Sequence, residues 1–73
     1  MIRTRDALLA HLGRGGRVRY ELRHEPEPKT IWTVPSTGEA IHATAAKWAL
    51  AHGKLAPLSD GLFPDTTQTF EAA

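Results

Sequence analysis

Residues 24–28, His-Glu-Pro-Glu-Pro, set two prolines one residue apart between two stretches that both read as β-strand. A proline has no N–H to give a ladder or a helix, and it pushes the residue before it away from helical geometry. No regular element crosses this segment, so the chain has to turn here. Upstream the sequence alternates: Val18, Tyr20 and Leu22 point one way while Arg17, Arg19, Glu21 and Arg23 point the other, the pattern of a half-buried strand. Downstream, residues 29–34 resume β-type composition, with Ile31 facing opposite to Trp32 and Val34. An antiparallel hairpin is the economical pairing of the two, and Pro35-Ser36-Thr37-Gly38 ends it.

A short helix precedes the hairpin. Thr4 suits its N-cap, Asp6 suits the positive end of the helix dipole, Leu8, Leu9 and Leu12 lie to one side, and Gly13 supplies the stop. After the hairpin, residues 36–43 allow two readings. Ser36-Thr37-Gly38-Glu39 fits a capping box, while residues 39–42 also fit a third short strand, which is the reading adopted here. From Thr44 the alanine-rich ATAAKWALAHG is helical by propensity, with Ala45, Trp48 and Ala49 on one face and Gly53 as terminator. Residues 55–58, a turn at Ser59-Asp60-Gly61, Leu62 and Phe63, a second turn at Pro64-Asp65 and residues 66–70 read as a terminal hairpin. The expected fold class is therefore α+β: a single compact domain over residues 1–73, with a small antiparallel sheet and two helices against one face, in the order α-β-β-(β)-α-β-β. The expected core is Leu8, Leu12, Val18, Tyr20, Leu22, Trp32, Val34, Ile41, Trp48, Leu50, Leu55, Leu62 and Phe70.

Size limits how such a domain is held together. A chain of 73 residues buries only about 60% or slightly more of its unfolded surface, and the absence of cysteine closes the disulfide route and excludes thiolate metal sites. An economical core or a partner, in the simplest case a homodimer, has to supply the margin. A hydrophobic content of 41% is too high for a disordered chain, so folding is expected. No apolar run approaches eighteen residues, and the Met-Ile-Arg-Thr-Arg start lacks a signal-peptide core; the expectation is a cytoplasmic protein without a membrane partner.

The chemistry-bearing residues argue against an enzyme. His11, His24, His42 and His52 have neither the i,i+4 spacing of a helical zinc site nor the paired spacing of a finger, so no metal and no cofactor is expected. His24 with Glu25 and Glu27 reads as a solvated acidic turn, and His42 and His52, which flank the second helix, as histidines with backbone partners rather than catalytic bases. Gly13-Arg14-Gly15-Gly16 runs from helix into strand, whereas a phosphate-cradling loop runs from strand into helix. Asp60 and Asp65 are turn formers before they are acids.

Charge carries the functional signal. All six arginines fall in the first 23 residues; residues 1–24 have a net charge of +4 and residues 25–73 one of −3. On a half-buried strand Arg17, Arg19 and Arg23 line the outer face, about 6.6–6.8 Å apart for every second residue, with Arg14 extending the row and Glu21 interrupting it. Arginine's planar fork of donors matches phosphate and carboxylate oxygens, which points to nucleic acid or an acidic protein surface as partner; a merely solvated strand face is the competing reading. The binding candidates are Arg14, Arg17, Arg19, Arg23 and Lys47, with sequence reading, if any, from Lys47 or Trp48.

Residues 44–70, TAAKWALAHGKLAPLSDGLFPDTTQTF, resemble the second helix and following wing of a winged helix-turn-helix domain: a helix ending at Gly53, a strand at Leu55, a loop and a returning strand of Thr-Gln-Thr-Phe type. The short, cysteine-free, arginine-rich chain with its DGLF and QTF segments is also similar to small orphan proteins of phages and other mobile elements. These include DNA-binding regulators and anti-CRISPR-like inhibitors. The resemblance implies a non-catalytic protein that binds nucleic acid or, as the alternative, one that blocks a host nucleic-acid-processing complex through protein contacts.

Overall fold

The computed structural model describes residues 1–23, 26–58 and 67–73. Thr4 caps the first helix, α1 (Arg5–Gly13): its side-chain oxygen accepts the Ala7 N–H at 3.1 Å. Leu8 and Leu12, one turn apart, are buried, whereas Leu9 is rotated about a quarter-turn from Leu8 and is 37% exposed. The helix ends in a tight exit in which Gly15, at φ 82°, donates to the Leu12 carbonyl at 3.0 Å and Gly16 to that of His11 at 3.0 Å.

That exit leads into β1 (Val18–Arg23), and β2 (Lys29–Thr33) returns beside it antiparallel, with Tyr20 opposite Trp32 and Arg23 opposite Lys29. The expected first hairpin is present. The turn residues His24 and Glu25 lie outside the described residues. Residues 36–43 form no third strand. Instead Val34 donates to Glu39 O at 2.8 Å and Ile41 to Trp32 O at 2.9 Å, while Gly38, at φ 74°, closes the turn onto Val34 O. The result is two isolated bridges, Thr33 to Ala40 and Ile2 to Ile41. The segment pairs on one side with β2 and on the other with the N-terminal residues, so neither pairing runs long enough to become a strand.

The second helix, α2 (Ala43–Ala51), is capped by His42, whose Nδ1 accepts the Thr44 N–H at 3.2 Å. It packs through Ala45, Ala46 and Ala49, all buried; their small size lets the helix backbone approach α1 and β2 closely. Gly53, at φ 69°, reverses the chain, and Lys54 donates back to Ala49 O at 2.8 Å. The chain then forms β3 (Leu55–Pro57) and β4 (Thr67–Ala72), an antiparallel pair in which Leu55 faces Ala72 and Pro57 faces Phe70. The turns expected around Asp60 and Asp65, and the core position expected for Leu62, fall on residues that are not described.

The sheet order is β2-β1-β4-β3, with every neighbouring pair antiparallel. The fold is α+β, as the sequence indicates. The pairing of β1 with β4, which sets Val18 opposite Phe70, joins the two hairpins edge to edge. Pro57, which cannot donate to a ladder, sits on the edge strand β3. Among the described residues no helix is long and apolar enough to cross a membrane.

The core combines Ile2, Leu8, Leu12, Val18, Trp32, Val34, Ile41, Ala45, Ala46, Ala49, Leu55 and Phe70. Four expected members are displaced from it. Tyr20 and Trp48 pack only partly against the cluster, Leu22 is half-buried, and Leu50 is 44% exposed. For the two on α2 the cause is that the helix packs by its alanines, which leaves the bulkier Trp48 and Leu50 at the flanks of its contact face. Trp48 finds other cover: the Arg5 guanidinium lies 5.0 Å from its ring centroid and the His52 ring stacks at 5.1 Å.

One local contact fixes how β1 begins. The His11 ring covers Gly16 so closely that a Cβ there would lie 2.2 Å from the ring, and His11 Nε2 bonds the Arg17 carbonyl at 2.8 Å. Gly16→Ala should therefore expel the imidazole and cost about 1–2 kcal/mol through the lost hydrogen bond and local rearrangement. The same substitution in a His11→Ala background should cost close to nothing. A double-mutant cycle by urea denaturation measures the coupling, and additive effects would rule this contact out as the reason for glycine.

Candidate nucleic-acid interface

Both helices contribute to the core that Val18, Trp32 and Phe70 build on one side of the sheet. Alternation then fixes what the other side carries. Across the strands, Arg19 stands between Thr33 and Thr69, Glu21 between Ile31 and Thr67, and Arg23 beside Lys29; Ala56 pairs with Glu71 toward the far edge. Arg19 and Arg23 stand on β1, an interior strand, with Arg17 just before it, so the row occupies the middle of a face that neither helix covers rather than a rim.

The cations on this face differ in their engagement. Arg23 Nε donates to Glu21 Oε1 at 3.1 Å, an exposed pair between residues two apart on one strand. Such a pair contributes about 0–1 kcal/mol and competes weakly with a stronger anion. Arg17 and Arg19 are exposed, and their side chains make no hydrogen bond or ion pair among the described residues. Arg17 also borders a shallow cleft of about 350 Å³, shared with Gly15, Gly16, Pro35 and Ser36 at the end of the sheet. Because His11 holds its carbonyl, the backbone that carries Arg17 is fixed even though its guanidinium is not.

The remaining sequence candidates are placed as follows. Arg14 lies exposed at the C-cap of α1, on the turn leading to Arg17. Lys47 is exposed on α2, on the helix side, and so is separated from the arginine row by the thickness of the sheet. Trp48, beside it, is taken up by Arg5 and His52. Lys29 is the cation that sequence reasoning missed. The register of the first hairpin places it opposite Arg23, and counting the residues of the proline turn is the signal that points to it. The three described histidines all serve the backbone: His11 and His52 donate to the Arg17 and Trp48 carbonyls, and His42 accepts at the helix cap. Among the described residues no three His, Asp or Glu side chains gather as metal ligands would.

Among the described residues, a four-stranded antiparallel face bearing a central cationic row, backed by two helices on its other side, is thus the class of surface that this chain builds. Comparison with protein-family models, with curated proteins and with solved structures finds no match.

Proposed function

We propose that this protein is a non-catalytic binding domain whose open sheet face contacts nucleic-acid phosphates through Arg17, Arg19 and Arg23, with Arg14 and Lys29 at the ends of the row. The observation that carries this reading is the state of Arg17 and Arg19. Both are solvent-exposed and lack an acidic partner among the described residues; Arg19 stands on a strand held on both sides by its neighbours, and Arg17 on the residue just before it, where His11 holds its carbonyl. Two guanidinium groups on a rigid scaffold bind an anion with less loss of side-chain freedom than the same groups on a loop. Thr33, across from Arg19, adds a hydroxyl donor beside the row.

Two measurements test it. Three to five phosphate contacts give a log–log salt slope between about −2.7 and −4.5 for a duplex. Glu21→Gln, which removes the one carboxylate within the row and frees Arg23, should raise affinity about two- to fivefold by the same electrostatics. Fluorescence anisotropy across a salt series reads both. A flat salt response, or a Glu21→Gln variant that binds more weakly, rejects the assignment.

A second reading has support from the other side of the molecule. Tyr20, Trp32, Leu50, Pro57, Gln68 and Phe70 line an apolar groove of about 370 Å³, with Leu50 44% exposed at its margin. A protein partner, such as a host nucleic-acid-processing complex blocked by a phage-type inhibitor, has a packing site there, on the side away from the cationic row. Affinity resting on packing declines more gently with salt, which separates the two readings.

A further inference from the structure

The register of the sheet decides which chemical groups a partner meets. Tyr20, Trp32 and Phe70 all belong to the helix side, where the Trp32 ring centroid lies 5.1 Å from that of Tyr20 and 6.3 Å from that of Phe70. The open side presents guanidinium and ammonium groups from Arg19, Arg23 and Lys29 and hydroxyls from Thr33 and Thr67. Those groups donate to phosphate oxygens. Sheet proteins that hold single strands instead offer aromatic planes on which successive bases stack, and the described aromatic side chains of this sheet, Tyr20, Trp32 and Phe70, all lie on its helix side, away from the cationic row.

Dimensions lead the same way. Three inter-strand spacings of about 4.8 Å put the outer strand axes about 14 Å apart, on a sheet ordered β2-β1-β4-β3. The major groove of B-DNA is about 12 Å wide and admits a helix or a two-stranded ribbon, while the minor groove is about 6 Å wide. A four-stranded face therefore rests across the phosphate ridges, and its strands cannot follow base edges into either groove. A double helix also carries more charge per unit length than a single strand, which favours it on a face whose attraction is electrostatic.

Building on the nucleic-acid reading above, we infer that the open face takes double-helical nucleic acid by its phosphate backbone, irrespective of base sequence. The test uses the full chain and fluorescence anisotropy at low salt, with two DNA duplexes of equal length and unrelated sequence and an oligo-dT of matched phosphate number. The duplexes are expected to bind within about fivefold of each other, and oligo-dT at least about fivefold more weakly. Arg19→Gln should weaken both duplexes by the same factor. A larger difference between the duplexes, unequal losses in the variant, or oligo-dT bound within fivefold of the duplexes overturns the inference and leaves the phosphate-binding reading standing. Failure to bind any of the three at low salt overturns both.

Discussion

Trp32→Ala should remove about 3–4 kcal/mol of the domain's stability at about 25 °C. Trp32 is 5% exposed and lies between Tyr20 and Phe70, and truncating a buried tryptophan costs about 3–5 kcal/mol. A domain of this length has a total stability of about 4–11 kcal/mol at the usual 0.05–0.15 kcal/mol per residue, so the loss takes a large share of the whole. The lower part of the 3–5 kcal/mol range is expected, because the indole Nε1–H is buried without an acceptor among the described residues and its lost hydration already offsets some of the gain from burying the ring. Urea denaturation followed by circular dichroism reads the effect. Trp48→Ala is the matched control: half-buried and covered by Arg5 and His52 at the flank of α2, it should cost less than half as much. Equal losses would mean that the core is not centred on the sheet.

Reversing two cations that have no partner among the described residues, Arg17→Glu with Arg19→Glu, should lower affinity for duplex DNA on the order of 100-fold at low salt and reduce the salt slope by about 2. Both side chains leave the core face, so stability should move by no more than about 0.5 kcal/mol per site, and an unchanged circular-dichroism melt separates lost binding from lost fold. Lys47→Glu, on α2 across the sheet, should leave affinity within about twofold. If Lys47→Glu weakens binding as much as the double reversal, the interface lies on the helices and the open-face assignment is wrong.

What could be read from the chain follows the range of the forces involved. The proline turn, the period-two stretch at residues 17–23, the threonine cap and the alanine-rich helix are local signals, and α1, β1, β2 and α2 lie where those signals put them. The β1–β4 pairing is not local: no turn chemistry links Val18 to Phe70, and only the folded core selects that register. For the same reason Ile2 escaped notice. It stands outside the helical pattern and is buried through bridging to Ile41. Leu50 erred the other way, since leucine on an amphipathic helix ordinarily faces the core, but here the alanines take that face. In the candidate site the facing of Arg19 and Arg23 follows from alternation alone, while Arg17 stands just before the strand. The position of Lys29 beside Arg23 needs the hairpin register, and the position of Lys47 across the sheet needs the side on which α2 packs.

The joining of the two hairpins through β1 and β4 also bears on how the molecule assembles. Each hairpin can zip up from its own turn, but a sheet with one sided cover becomes whole only when distant parts of the chain meet, a search whose entropic toll rises with the logarithm of the intervening length. Until that seam closes, β1 and β4 each present a bare row of amide and carbonyl groups, the condition under which chains stick to one another. The cationic row lies along one lip of the seam, so mutual repulsion between arginines on neighbouring molecules would help keep half-made sheets apart during that interval.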